Sequence, residues 1–140
     1  MVRLFSDVAI GEELPPLATA ITRLDLVRYC GASGDFNTIH WSQRAALAVG
    51  LPDVIAHGMF TMASAGRLLT DWTGDPGSLL SYHVRFSRPV VVPDDDAGVT
   101  LTVTGSVEDK LEDRQVVIAL RAVVGADKVL SAARASVRLR

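Results

Sequence analysis

The rhythm of apolar and polar positions changes at Gly74-Asp75-Pro76-Gly77, a run that breaks the chain hard. Beyond it the period is two. Leu80, Tyr82, Val84 and Phe86 alternate with Ser81, His83, Arg85 and Ser87, and Val99, Leu101, Val103 and Val107 alternate with Thr100, Thr102, Thr104 and Ser106. Val129, Ala133, Ala135, Val137 and Leu139 repeat the pattern against Leu130, Ala132, Arg134, Ser136 and Arg138. With turns at Pro93–Gly98, Glu108–Arg114 and Gly125–Asp127, this predicts four consecutive antiparallel strands. Val116 to Val124 is apolar on both faces except for Arg121, which predicts a partly covered outer surface, with a partner subunit as the cover. The run Asp94-Asp95-Asp96 reads as a solvated loop tip.

Before the break the pattern is helical. Residues 1–15 read as an irregular lead-in, followed by a short strand at Leu17 to Ile21. Thr22 with Asp25 three residues on reads as a capping box. The helix it opens, Arg23 to about Gly31, places Leu24, Leu26, Val27 and Cys30 on one side. A polar, tight loop from Ser33 to Thr38 leads to a short helix over about Trp41–Val49, which Gly50 closes. Gly58 to Trp72, GMFTMASAGRLLTDW, is apolar nearly all round apart from Arg67 and Asp71, a possible i,i+4 pair, and predicts a buried helix. One long buried helix and a run of antiparallel strands are most economically packed by wrapping the sheet around the helix, an α+β domain.

Composition narrows the class. A chain of 140 residues with 49% hydrophobic and 21% charged residues reads as a single globular domain over 1–140. A net charge of −2 gives no footprint for nucleic acid. One cysteine, Cys30, cannot form an internal disulfide, and no apolar run reaches a membrane span. Asp7 interrupts the N-terminus before any signal-like stretch. The expectation is a soluble cytoplasmic protein without membrane or nucleic-acid partners.

The chemistry-bearing stretch is Tyr29 to Ala45, YCGASGDFNTIHWSQRA, with Asp35 and His40 five residues apart. Taken alone, such a pair matches by chance, with Asp35 a turn former and His40 an early residue of the short helix. The wider pattern reverses those odds. Tyr29, Ser33-Gly34-Asp35, Asn37, Ile39-His40 and then Ala56-His57-Gly58-Met59 resemble the MaoC-like, or R-specific enoyl-CoA hydratase, branch of the hot-dog superfamily. Gly11 to Pro15 and Val84 to Phe86 extend the similarity, which is nearest to the catalytic subunits of mycobacterial (3R)-hydroxyacyl-ACP dehydratases. One departure is Thr38, where that family usually has proline and hence a stiffer backbone.

The resemblance implies a hot-dog fold, an antiparallel sheet around a long central helix, in a dimer that shares a combined sheet. It implies reversible water addition to a trans-2-enoyl thioester carried by CoA or by the phosphopantetheine of an acyl carrier protein. It places the acid/base pair on Asp35 and His40 and the thioester-polarising backbone N–H on Gly58. That chemistry needs proton transfer at water and at Cα, and donors where enolate charge develops. A glycine opening a helix supplies such a donor. Asn37 can orient a carboxylate or water and is grouped with the substrate-binding residues. His57 is expected to cap the central helix or shape the loop, and Ser33 and Tyr29 to be structural. Three scattered histidines and one cysteine lack metal-ligand spacing, so no metal and no cofactor beyond the substrate's carrier is expected. His83 reads as surface, and Arg134, Arg138 and Arg140 as a solvated edge strand. Two other functions remain on this reading, a hot-dog thioesterase and a non-catalytic partner subunit or acyl-binding module. The partner is a second copy or a related hot-dog subunit.

Overall fold

The computed structural model describes residues 2–140; Met1, the first residue of the expected lead-in, lies outside them. Strand β1 (Glu13–Ile21) is followed by helices α1 (Arg23–Ser33), α2 (Gln43–Ala48) and α3 (Gly58–Thr73). Strands β2 (Leu79–Phe86), β3 (Val99–Lys110), β4 (Gln115–Val124) and β5 (Asp127–Arg138) complete the chain. They form one antiparallel sheet in the order β1-β3-β4-β5-β2, curled around α3.

The alternation in β3 and β4 becomes an inner and an outer face. Leu101, Val103, Val107, Val116, Ile118, Leu120 and Ala122 are buried against Ala65, Leu68 and Leu69 of α3. Period-two strands and a helix apolar on most sides thereby share one core, whose burial contributes roughly 25 cal/mol for each Å² of apolar surface removed from water. On the outer face of β4, Val117, Ala119 and Val123 are half-buried within the single chain.

Several expectations change. The four later strands do not pair in sequence: β2 lies at the sheet edge against β5, because residues 87–98 carry the chain across the molecule, bridging Ile55 at Val91 on the way. This makes β5 an internal strand, so Arg134 projects from its outer face and pairs with Glu108 rather than lining an edge. Next, β1 begins at Glu13, not Leu17. The Pro15-Pro16 pair falls at the register shift between Leu14 and Leu17, tolerable because β1 is the other edge. Helix α1 runs through to Ser33, and its Leu24 and Val27 face outward while Leu26 and Cys30 are buried. Finally, α2 is shorter than its pattern, a 3-10 turn over Thr38–His40 takes part of the span, and Arg67 and Asp71 form no ion pair among the described residues.

Irregularities in β5 shape the interior. Ala132 has φ +46, and the β2–β5 and β4–β5 registers shift beside it. A bulge of this kind re-aims neighbouring side chains. A second shift of the β4–β5 register, between Ala122 and Val123, skips Val129, and the adjacent Val129 and Leu130 are both buried.

Candidate active site

Two segments meet at the N-terminal end of α3. The first is the loop after α1. Thr22 accepts from the Asp25 N–H, and the Asp25 carboxylate accepts from the Thr22 N–H at 2.9 Å and its hydroxyl at 2.8 Å. The backbone bond is the main reason the Asp25 carboxyl sits below its ordinary range. At the other end of the helix Gly34 takes φ +75, a left-handed cap that glycine adopts without strain. Ser33 Oγ donates to the Tyr29 carbonyl at 2.7 Å and accepts from the Asp35 N–H at 3.1 Å, which turns the chain outward. Asp35 is therefore exposed, with Oδ1 accepting from the Asn37 N–H at 3.2 Å.

His40 ends the 3-10 turn and is buried to 7% exposure. Its Nδ1–H donates to the Ile55 carbonyl at 2.7 Å. A carbonyl only accepts, so the proton sits on Nδ1 and Nε2 keeps its lone pair. Burial, the largest cause, lowers the His40 pKa below its ordinary value and His57 lowers it further, against opposing pulls from the Ile55 carbonyl and Asp35. At neutral pH this imidazole is uncharged and basic at Nε2.

His57 lies behind it, at 2% exposure. Its ring stacks on His40 with centroids 3.8 Å apart and 22° between planes, while the Tyr29 ring meets His57 at 4.7 Å in an edge arrangement. The Nε2–H of His57 donates to the Asp35 backbone carbonyl at 3.0 Å and lies 3.6 Å from Cys30 Sγ. Its Nδ1 is buried without a partner among the described residues. The side chain makes no cap bond on α3, so of the two expected roles it takes the loop-shaping one. Burial pushes the Cys30 thiol up, leaving it an inert neighbour.

Gly58 is the first residue of α3, where the opening N–H groups have no partner within the helix. A Cβ placed there would lie 3.1 Å from Phe86 Cε1. Gly58 and His40 share the wall of an otherwise largely apolar cavity of about 290 Å³, formed with Ile55, Thr61, Phe86, Val129 and Leu130. The β4–β5 register shift between Ala122 and Val123, which skips Val129, lets both Val129 and Leu130 face inward to close it.

The structure thus brings Asp35, His40 and His57 together, with one ligating atom from each within 4.8 Å of the others. Their spacing in the sequence gave no sign of such a cluster. It is poorly shaped for chelation, because stacked rings carry in-plane lone pairs side by side and His57 Nε2 is already committed to a carbonyl. Asp35, His57, Asn37 and Ser33 do not line the cavity, and of the cluster only His40 does. The Asn37 side chain caps the 3-10 turn by accepting from the Ile39 N–H at 3.3 Å, so its help to Asp35 comes through its main chain. Two contributors escaped the sequence reading: the Ile55 carbonyl, which carries no side-chain signal, and Thr61, whose buried hydroxyl donates to the His57 carbonyl on the cavity wall.

A profile of the MaoC like domain matches residues 7–126. Over 83 residues the chain is 41% identical to the 3-hydroxyacyl-thioester dehydratase X of Mycobacterium tuberculosis, an overlap of 58% of this chain and 29% of that protein. Among solved structures, a MaoC-like dehydratase superposes with a TM-score of 0.95 at 38% identity, covering 99% of this chain and 43% of the other. The R-hydratase PhaJ1 of Pseudomonas aeruginosa superposes with a TM-score of 0.84 at 26% identity, covering 97% and 84%. The chain therefore spans under a third of the length of the dehydratase X it matches. The sheet wrapped on a central helix is the hot-dog fold. No helix of the described residues is long and apolar enough to cross a membrane.

Proposed function

The chain belongs to the MaoC-like domain family, and we propose that it is an R-specific 2-enoyl-thioester hydratase, or in reverse a (3R)-hydroxyacyl-thioester dehydratase. One observation carries the reading. The Ile55 carbonyl holds the proton of His40 on Nδ1, which leaves a bare Nε2 on an imidazole that lines an apolar cavity, with the Asp35 carboxylate close to the two histidine rings. The names of the dehydratase X and of the R-hydratase support the same class.

The enoyl chain lies in the cavity with its thioester oxygen at the Gly58 N–H. A water sits between Asp35 and His40. As its oxygen bonds to Cβ, its proton passes to the pair, and the pair returns one proton to Cα. Neither group changes its charge over the turnover, and the two titrate as a coupled unit. Negative charge that develops on the thioester oxygen meets the unpaired donors and positive dipole end of α3. No metal or further cofactor is proposed, since the substrate brings its own carrier, CoA or the phosphopantetheine of a carrier protein. The edges β1 and β2 leave backbone groups for pairing with a second copy or a related subunit, and a cytoplasmic setting fits the free, buried Cys30.

The test is hydration of crotonyl-CoA by the purified chain, read as loss of the enoyl absorbance with the product's configuration determined. Formation of the R-3-hydroxy product is expected. Release of free CoA thiol in place of hydration marks a thioesterase and overturns the proposal.

A further inference from the structure

The loop between the acid and the base is held at both ends by long-range bonds. The Asp35 carbonyl accepts from His57, and at the other end His40 bonds the Ile55 carbonyl while the Ile55 N–H bonds the Ile39 carbonyl at 3.2 Å. The middle has no such anchor. Phe36 is 62% exposed, so burial does not hold it, and Asn37 is exposed as well. What meets the middle is Trp41, whose indole Nε1–H donates to the Phe36 carbonyl at 3.0 Å.

That carbonyl belongs to the same peptide unit as the Asn37 N–H, which donates to Asp35 Oδ1. One rigid amide plane therefore carries a hydrogen bond at each end, from indole to peptide and from peptide to carboxylate. The plane cannot rotate without breaking one bond and swinging the other. Bonds in series also polarise one another, so the indole strengthens the donor that faces the carboxylate. Trp41 is itself 51% exposed, an odd placement for a residue whose task is core packing.

We infer that Trp41 is a positioning residue for Asp35, acting through the Phe36–Asn37 peptide. The inference rests on the reading of Asp35 as one half of the proton-transfer pair. It also accounts for Thr38. A proline at that position would stiffen the loop covalently; here a tryptophan side chain supplies the restraint from outside. A proline would fit, because Thr38 opens the 3-10 turn and Asn37 before it has ψ 126, within the range allowed ahead of proline.

The experiment compares the parent chain with Trp41→Phe, which keeps an aromatic ring and removes the N–H. In a ¹H–¹⁵N spectrum the Asn37 amide proton of Trp41→Phe moves upfield and exchanges faster, in the direction also produced by Asp35→Asn. With an enoyl thioester, kcat falls by about tenfold while KM stays within about twofold, a scale expected of a small misplacement of a catalytic group. Trp41→Phe added to Asp35→Asn costs less than about twofold more, and Thr38→Pro restores part of the kcat of Trp41→Phe. The inference is overturned by an Asn37 amide that stays where the parent has it. An unchanged kcat, or a tenfold loss that persists in full in the Asp35→Asn background, overturns it equally. The spectroscopic comparison needs no turnover, so a chain that hydrates no enoyl thioester sinks the functional reading while this inference is still decided by the amide.

Discussion

The two ends of α3 are built to opposite rules. At the C-terminal end the helix is closed by a glycine cap and buried hydroxyl bonds, although Trp72 Nε1 and Arg3 Nε are buried without a hydrogen-bond partner among the described residues. Gly74 takes φ +67 and its N–H bonds the Thr70 carbonyl, and the Thr73 carbonyl accepts from the Arg3 N–H. The fully buried Thr73 hydroxyl lies 2.9 Å from Ser78 Oγ, which in turn donates to the Asp75 carbonyl at 2.7 Å. The Arg3 guanidinium covers the Trp72 ring at 4.8 Å and pairs with Glu12. At the N-terminal end, among the described residues, there is no side-chain cap, a glycine leaves the backbone bare, and His57 Nδ1 is buried without a partner. Unsatisfied donors beside an apolar cavity cost stability and supply a site for developing negative charge. The closed end holds the helix in the sheet so that the open end can remain open.

Substitutions at the two ends should separate activity from stability. The largest effect belongs to the open end: Asp35→Asn and His40→Gln each lower hydration of an enoyl thioester by at least ~10²-fold, the usual scale for one acid/base group, with little change in unfolding. Next is the closed end. Thr73→Val keeps the shape but strands the Asp75 N–H and takes from the Ser78 hydroxyl one of its two partners, at a cost of about 1–3 kcal/mol in urea unfolding and with kcat unchanged. Smaller is Gly58→Ala, in which the new methyl pushes on the Phe86 ring at the cavity wall; kcat/KM falls by about tenfold while stability shifts by less than about 1 kcal/mol.

The smallest effect is a pH dependence, and its sign follows from His40. Folding lowers this pKa, chiefly through burial, so on acidification the unfolded chain takes up a proton near 6.5 before the folded chain does. Stability present above pH 6.5 is lost as the pH falls from there toward the folded value, at up to about 1.4 kcal/mol per pH unit, and then levels off. Urea unfolding across this window should show that slope in the parent and a flatter one in His40→Gln.

What could be seen in the sequence were features with a local cause. The span of α3 and its stop at Gly74, the capping box of Thr22 and Asp25, and the alternation in β3 and β4 all follow from neighbours within a few residues. Asp35 and His40 stood out through the motif they share with the family, not through their spacing. What could not be seen depends on segments that meet across the fold. The pairing of β2 with β5 is set by the crossing of residues 87–98, and the His40 tautomer by a main-chain oxygen fifteen residues away. Leu24 and Val27 show the limit of pattern reading: both fit an apolar face, yet α1 buries Leu26 and Cys30 and turns the other two outward. The side chain of Asn37 suggests a group that orients a carboxylate or water; in the fold it caps a turn, and the bond to the Asp35 carboxylate comes from its amide.

The central claim is that the fold keeps His40 neutral, with its proton on Nδ1 and a free lone pair on Nε2. Long-range ¹H–¹⁵N NMR of the histidine rings at neutral pH tests it most directly. The account predicts for His40 a protonated Nδ1 and an unprotonated Nε2, persisting on acidification to below pH 6.5. A proton on Nε2 with Nδ1 bare, or a ring already charged at neutral pH, would contradict it.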